Sequence, residues 1–232
     1  MRLLPLYSAA GLLALCLGTL SISARTPFQV QDPESPLHQP AFTVPSALTD
    51  TGRVPVESHS GPLPYESWLQ HTLNFTHLAP VIRQLEWVHP GPLLNRGEAH
   101  VTVVTPPEFD RILAPVGITV ADLDALALQA GLQHVPFKVL CVGRQRLVSP
   151  EKAADTLEAY NLIVQADAWL DLRWDIWRLF VQRSGEPSAF DPAHFWPHIT
   201  LGYSHRDLFV EDGMYKGINS CWRPVEMTTT NE

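Results

Sequence analysis

The sequence predicts an α+β fold built on largely antiparallel sheets. Of its 232 residues, 45% are hydrophobic, which is enough apolar material for a substantial core. Strand-like and helix-like segments do not alternate strictly along the chain, as they would in a parallel, doubly wound sheet. The order runs instead from helix to strand, through two helices to further strands, and then to one more helix and strand. This mixed order is typical of α+β proteins.

The first 24 residues have the pattern of a secretory signal peptide. One arginine precedes a long apolar stretch, and small residues follow it as far as Ala24. We expect cleavage near Ala24, although the stretch is also long enough to stay in place as a membrane anchor. Either outcome predicts that the remaining chain is secreted or lies in the lumen of the endomembrane system.

Residues 25–64 have no helical or strand periodicity. Prolines recur in them among Ser, Thr, Gln and Asp, a composition that is typical of linkers and pro-segments. We therefore expect a Pro-rich linker or pro-segment over residues 25–64. One folded domain is expected over residues 65–232.

The first half of this domain predicts helices around one strand. Apolar residues at spacings of three and four predict one or two short helices within residues 65–88. Residues 97–107 predict a strand, because a polar start leads into a β-branched run and two prolines end it. Residues 107–116 and 119–132 predict helices, the second with a threonine cap and an aspartate three positions later.

The second half predicts strands on either side of a long helix. Residues 136–148 predict one long strand, or a pair of strands with Gly143 at the bend. Residues 160–165 predict a short strand, and residues 166–182 an amphipathic helix with one apolar stripe. Residues 194–203 predict a final strand, after which a polar tail with two turn sites closes the domain.

The acidic balance of the chain argues against binding to long nucleic acids. Removal of residues 1–24 takes away one arginine and no acidic residue, so the formal charge changes from −8 to −9. Affinity for long nucleic acids comes mainly from Lys and Arg side chains that neutralise phosphates. Any phosphate ligand is therefore expected to be small and to be bound locally.

Two cysteines remain after the signal peptide, Cys141 and Cys221. In an oxidising compartment they can form one disulfide. Two free, buried thiols are the alternative, because a sequence gives no distance between them. Asn74-Phe75-Thr76 is a glycosylation sequon, which agrees with the lumenal interpretation.

Two short motifs carry the chemical signal of the sequence. His100-Val101-Thr102 and His198-Ile199-Thr200 both lie in strand-like segments. Side chains alternate along a strand, so each motif places His and Thr on one face and aliphatic residues on the other. One such motif is explained by a core histidine beside a β-forming threonine. Two matched copies indicate a shared site.

Two histidines suit the opening of a cyclic phosphodiester. One takes a proton from the attacking water, and the other gives a proton to the departing sugar oxygen. The ordinary histidine pKa of about 6.5 makes both protonation states available near neutral pH. A fixed hydroxyl beside each imidazole can hold the phosphoryl oxygens. Neither motif offers a second ligand at metal-binding spacing, so we expect no metal and no other cofactor.

Other side chains near the second motif are weaker candidates. Arg144 and Arg146 share one face of a predicted strand and could meet the phosphate, with a solvated strand edge as the alternative. His194 and His205 flank the second motif, where surface histidines near a turn are the better interpretation. Tyr203 is a candidate for stacking on a base, with a core position as its alternative.

The paired His-x-Thr strands, the second preceded by Pro197, resemble the motifs of the 2H phosphoesterase superfamily. This superfamily includes the 2′,5′-RNA ligase-like proteins and the cyclic phosphodiesterases. The resemblance covers roughly residues 65–210 and implies a 2H phosphoesterase-like domain. It implies a bilobal fold in which two antiparallel sheets line a central groove, with helices outside and one motif strand in each half.

The resemblance also implies roles for the motif residues. His100 and His198 correspond to the catalytic histidines, and Thr102 and Thr200 to the phosphate-binding hydroxyls. The predicted function is metal-independent hydrolysis of a 2′,3′-cyclic or related RNA-derived phosphate by a monomer. The expected partners are a small nucleotide or a short RNA end, with no membrane contact beyond a retained signal anchor. A non-catalytic nucleotide-binding module and a secreted interaction protein on the same scaffold are the alternatives.

Overall fold

The computed structural model describes residues 39–148 and 156–229, and they form the predicted α+β fold. The predicted signal peptide lies outside the described residues. In chain order, the strands are β1 (Phe42–Pro45), β2 (Leu69–Leu73), β3 (Ala99–Val104), β4 (Lys138–Leu147), β5 (Leu157–Gln165), β6 (His198–Tyr203), β7 (Cys221–Arg223) and β8 (Val225–Thr228). The helices are α1 (Phe75–Val88), α2 (Pro106–Glu108), α3 (Val120–Gln129) and α4 (Asp167–Gln182), with π-helical and 3-10 turns at Phe109–Leu113 and Ala114–Val116 after α2.

Within the described residues, the strands form three sheets. Strands β2 and β3 form an antiparallel pair, and a four-stranded antiparallel sheet has the order β6-β5-β4-β7. Strands β1 and β8 form a short parallel pair. The two motif strands therefore belong to different antiparallel sheets, with β3 in the first and β6 at an edge of the second.

One hydrophobic core holds these elements together. Val101 and Val103 of β3, and Ile199 and Leu201 of β6, are fully buried in it. Helix α4 packs its apolar stripe into the same core and contributes Trp169, which is also fully buried. Because the aliphatic face of each motif strand is buried in this core, the opposite face is left for the histidines and threonines.

The predicted linker is corrected at residues 42–49, which belong to the folded domain. Phe42, Val44 and Leu48 are at most 4% exposed, and β1 pairs with β8 at the far end of the chain. The apolar alternation here spans only four residues within a Pro-rich background. Its sheet partner lies more than 180 residues away, so no local pattern indicates the pairing.

Of the one or two short helices predicted within residues 65–88, one is present as α1, and Leu69–Leu73 form the strand β2 instead. All five residues of this strand are buried, and its period-two pattern covers only five residues, which is too short to distinguish it from a helix by spacing. The predicted helix is correct from Phe75 onward as α1, where the Asn74 side chain accepts a hydrogen bond from Thr76 N (2.9 Å). The sequon asparagine is thus the N-cap of α1.

Several other predictions are confirmed. Thr119 and Asp122 form a reciprocal capping box at the start of α3, and α4 follows the predicted amphipathic segment. Residues Lys138–Leu147 form one long strand, which settles the choice between one strand and two. Strand β5 begins at Leu157 and is thus longer than predicted.

The C-terminal tail closes the domain, as expected from the sequence. Strand β7 pairs with β4, and a disulfide joins Cys141 to Cys221 with a Cα–Cα distance of 5.6 Å. Gly143 allows this close approach, because a Cβ atom there would lie 2.9 Å from Ser220 Oγ and 2.8 Å from Ile163 Cδ1. The tail therefore packs directly onto the sheet that carries the second motif.

Among the described residues, no single helix is long and apolar enough to cross a bilayer. One sharply bent pair, Pro106–Val116 with Val120–Gln129, meets the length and composition criteria only when its two parts are taken together.

Candidate active site

The two motifs have the predicted strand geometry. In β3, His100 and Thr102 are partly exposed while Val101 is buried, and β6 repeats this pattern at His198 and Thr200. The strands β3 and β6 approach each other, and a positive charge on His100 lowers the pKa of His198. The structure therefore brings both His-x-Thr motifs into one region.

His198 is held in a defined orientation by the backbone. Its Nδ1 atom lies 2.7 Å from the carbonyl oxygen of Trp196. Because a carbonyl oxygen can only accept, Nδ1 carries the proton of the neutral ring and Nε2 keeps its lone pair. Burial, reinforced by the positive charge of Lys216, holds the pKa of His198 well below 6.5.

His100 is less tightly bound by its neighbours. Its side chain is 14% exposed, and its buried Nδ1 atom has no hydrogen-bond partner among the described residues, since Glu98 Oε1 lies 3.7 Å away. Burial lowers the pKa of His100 to about 4, with smaller lowering effects from Arg96 and His59. Both motif imidazoles are consequently neutral in the free protein at neutral pH.

Strand β2 adds polar side chains beside the first motif. Thr72 lies directly opposite His100, and Gln70 lies opposite Thr102. Trp68 Nε1 donates to Gln70 Oε1 (2.8 Å), and Gln70 Nε2 donates to Thr72 Oγ1 (3.3 Å). This row was not predicted, because residues 65–88 were expected to hold short helices, although the alternating Trp, Gln and Thr are compatible with a strand.

His59 is a third histidine near the first motif, and it comes from the segment predicted to be a linker. Its ring stacks on Trp68 with the ring centroids 4.0 Å apart and an interplanar angle of 13°. Its Nε2 atom is buried without a hydrogen-bond partner, and Glu57 Oε2 lies 3.8 Å away. The prediction of a linker is thus corrected here as well, since His59 packs beside the candidate site.

The second motif has an amide pair beside it. Asn161 of β5 lies directly opposite Thr200 and donates from Nδ2 to Gln145 Oε1 on β4 (2.6 Å). Asn161 and Gln145 are both almost completely buried. Cross-strand neighbours share a face of the sheet, so this amide pair lies on the same face as Thr200.

A bulge decides the position of Tyr203. Simple alternation would place Tyr203 with Ile199 and Leu201 on the core face. The register between β5 and β6 shifts after Thr200, however, so that Tyr203 lies opposite Ala159, two residues before Asn161 on the same strand. The shift returns Tyr203 to the face of Thr200, where it is partly exposed.

The tail and the segment before β3 add charged side chains that sequence analysis did not single out. Lys216 Nζ pairs with Asp207 Oδ1 (2.8 Å), and both side chains are 5% exposed. Arg96 lies 3.6 Å from Asp207 Oδ2. The charges of Lys216 and Arg96 both act on His198. The only local signal for Lys216 was its place in a predicted turn, which is typical of a solvated residue.

The other charged candidates lie elsewhere. Arg144 and Arg146 pair with Tyr160 and Glu158 on the sheet face opposite Asn161, which favours the alternative of a strand position away from the phosphate. Arg146 Nε instead bonds Glu158 Oε1 (2.7 Å). His194 and His205 are exposed, as surface histidines near a turn should be.

Potential metal ligands are not clustered in the part of the chain that the structure describes. In residues 39–148 and 156–229, no group of three or more His, Cys, Asp or Glu side chains is arranged to hold a metal ion. The side chains described around the two motifs are two neutral imidazoles, adjacent hydroxyls and nearby cations. Such a set can exchange protons with a substrate and bind an anionic group.

Comparison with protein families gives one match that includes both motifs. Residues 67–209 match the family model described as 2H-SAK: Swiss Army Knife, 2H phosphoesterase domain. Comparisons with curated proteins and with solved structures give no match. The matched span is more than half of the chain and contains both motif strands, but neither His59 nor Lys216. This chain therefore belongs to the 2H-SAK family of 2H phosphoesterase domains.

Proposed function

We propose that this phosphoesterase-family protein hydrolyses a 2′,3′-cyclic nucleotide phosphate, or a related cyclic end of a short RNA, without a metal ion. The observation that carries the proposal is the pair of neutral imidazoles, His100 and His198, on two strands that approach each other. Each imidazole has a threonine two residues later on the same strand face. Membership in the family supports phosphoesterase chemistry, and the histidine pair supports an acid–base mechanism.

In this mechanism His198 is the general base. Its Nδ1–H group is bound to the Trp196 carbonyl, so the free Nε2 lone pair can take a proton from the attacking water. The Trp196 carbonyl also stabilises the imidazolium that forms, because it continues to accept from Nδ1. The low pKa keeps His198 neutral before the reaction, which is the state that a base requires.

His100 is the general acid. The water oxygen forms a bond to phosphorus, the bond from phosphorus to one ribose oxygen breaks, and His100 gives that oxygen its proton. The pKa of His100 is about 4 in the free protein, so the acid must gain its proton with the substrate. A bound phosphate supplies a negative charge beside the ring, and this charge favours the imidazolium.

The hydroxyls and the aromatic residue serve binding. Thr102 and Thr200 donate to the non-bridging phosphate oxygens, whose negative charge persists throughout the reaction. Tyr203 stands at the end of β6 on the same face as Thr200, where its ring can stack on the base. Stacking of this kind tolerates different bases, so a preference for one base would depend on other contacts.

The disulfide supports an oxidising location. Cys141 and Cys221 are bonded, and such bonds persist mainly in secreted proteins and in the lumen of the secretory pathway. We therefore propose a secreted or lumenal phosphoesterase that acts on small, RNA-derived ends.

Direct product analysis tests the proposed reaction. The purified protein is incubated with each of the four nucleoside 2′,3′-cyclic phosphates, with and without EDTA, and the products are separated by chromatography. We expect the cyclic phosphate to be converted to a nucleoside monophosphate, and we expect EDTA to leave the rate of this conversion unchanged. His100→Ala and His198→Ala should each lower kcat by about 10² to 10⁴. The loss of kcat in the double variant should be much smaller than the product of the two single losses, because the two histidines act as a unit.

His205→Ala is the matched control, because His205 is an exposed histidine outside the strand. It should retain full activity. Loss of turnover on chelation, restored by a divalent ion, would contradict the metal-independent mechanism. Tight nucleotide binding without any product would favour the alternative of a binding module.

A further inference from the structure

Lys216 is a buried lysine, which is uncommon in proteins and occurs mainly in ion pairs. Its side chain is 5% exposed, and its ammonium pairs with Asp207 Oδ1 at 2.8 Å. The Phe209 ring lies on another side, 5.4 Å from Nζ. Lys216 comes from the tail beyond the matched family span, which ends at residue 209.

The backbone around Lys216 places it beside His198. The next residue, Gly217, packs so closely on the Trp196 ring that a Cβ atom would lie 2.8 Å from Cδ1. Trp196 is also the residue whose carbonyl fixes His198. Tyr215, on the other side of Lys216, contacts the same indole with the ring centroids 4.6 Å apart. The tail therefore forms a wall next to the second motif.

Lys216 and Arg96 share one carboxylate. Asp207 is shared by two cations, Lys216 at 2.8 Å and Arg96 at 3.6 Å. The nearby Asp212 is engaged by Arg206 through two hydrogen bonds of 2.8 and 2.6 Å. Asp207 carries one negative charge for these two cations. Arg96 and Glu98 are each 41% exposed, so solvent screens both of them to a similar degree.

Two cations that share one carboxylate beside neutral histidines favour an anion in the same place. A phosphate oxygen can accept a charge-assisted hydrogen bond from each of them in the bound state. The positive charges of Lys216 and Arg96 also act on His198, which agrees with their position at the site.

We infer that Lys216, together with Arg96, is a phosphate-binding pair that the tail and the segment before β3 add to the four motif residues. This inference rests on the proposed function for the identity of the natural ligand, a nucleotide phosphate. The pair holds the charged non-bridging oxygens, so that Thr102 and Thr200 orient the phosphate while Lys216 and Arg96 compensate its charge. The tail is thus part of the substrate site, in addition to closing the fold.

Calorimetric titration of the full chain with inorganic phosphate tests this inference without any turnover. The variants are Lys216→Met, which keeps the length of the side chain and removes its charge, and Arg96→Met. Each should weaken phosphate binding by about 10- to 100-fold, the effect of losing a charge-assisted hydrogen bond. Lys138→Met is the matched control, because Lys138 is exposed at the start of β4 and should leave the Kd unchanged.

The possible outcomes are distinct. A Lys216→Met protein with native melting behaviour and the wild-type phosphate Kd would overturn the inference. If this variant does not fold, Arg96→Met decides, because that side chain is 41% exposed and its loss should be tolerated. A wild-type chain that binds no phosphate at millimolar concentration would also overturn it. Charge-dependent phosphate binding without cyclic-phosphate turnover would support the inference and refute only the proposed function.

Discussion

Acid should destabilise this protein through His71, a histidine in β2 that faces the core. His71 is completely buried, and Trp169 Nε1 donates to its Nδ1 atom (3.1 Å). Its Nε2 atom therefore carries the proton and donates to Thr51 Oγ1 (2.8 Å), whose hydroxyl donates to the Gln133 carbonyl (2.8 Å). A second proton would have to enter at Nδ1, where it would face the indole N–H. The site accepts only the neutral ring.

The size of the effect follows from proton linkage. Burial lowers the pKa of His71 from 6.5 to about 4. The unfolded chain therefore takes up a proton as the pH falls below about 6.5, whereas the folded chain does not until about pH 4. The free energy of unfolding consequently falls over this window. Between pH 7 and pH 5, His71 alone accounts for a loss of about 2 kcal/mol.

Urea denaturation at pH 7 and pH 5 measures this loss in the wild type and in His71→Gln. Glutamine does not titrate, so the variant should be less stable at pH 7 but should lose about 2 kcal/mol less than the wild type on acidification. His205→Asn is the control, because His205 is exposed and lies outside the core that surrounds His71. Equal losses in the wild type and in His71→Gln would refute the reasoning.

Three further predictions concern the site and the tail. Thr102→Ala and Thr200→Ala should each lower kcat/KM on a cyclic phosphate by about 10- to 10³-fold, and unchanged kinetics would remove their phosphate-binding role. The pH profile of kcat/KM should be bell-shaped with its maximum below pH 6.5, because burial lowers both motif pKa values; a maximum above pH 7.5 would contradict the assignment. The free energy of unfolding of the double variant Cys141→Ser with Cys221→Ser should be about 4 kcal/mol lower than that of the wild type, because the disulfide no longer closes a loop with an 80-residue separation in the unfolded chain. An unchanged urea midpoint would disprove this.

Features that depend on local patterns could be predicted from the amino-acid sequence. The alternation within His100–Val103 and His198–Leu201 is enough to define which side chains face the core, because side-chain direction in a strand follows period two. The cap at Thr119 and the apolar stripe of α4 are equally local signals. The motif pair and the family resemblance could therefore be recognised from the order of the residues alone.

Features that depend on distant partners required the tertiary fold. Strand β2 is buried on both faces and is too short to distinguish from a helix by spacing, and only its pairing with β3 makes it a strand. The register shift in β6 moves Tyr203 to the motif face, and such a bulge arises from the fit of two strands. Lys216 looks like a solvated turn residue until the tail folds back over Trp196 and buries it beside Asp207. The physical reason is the same in each case: burial and charge pairing depend on residues far apart in the chain, which local propensities do not specify.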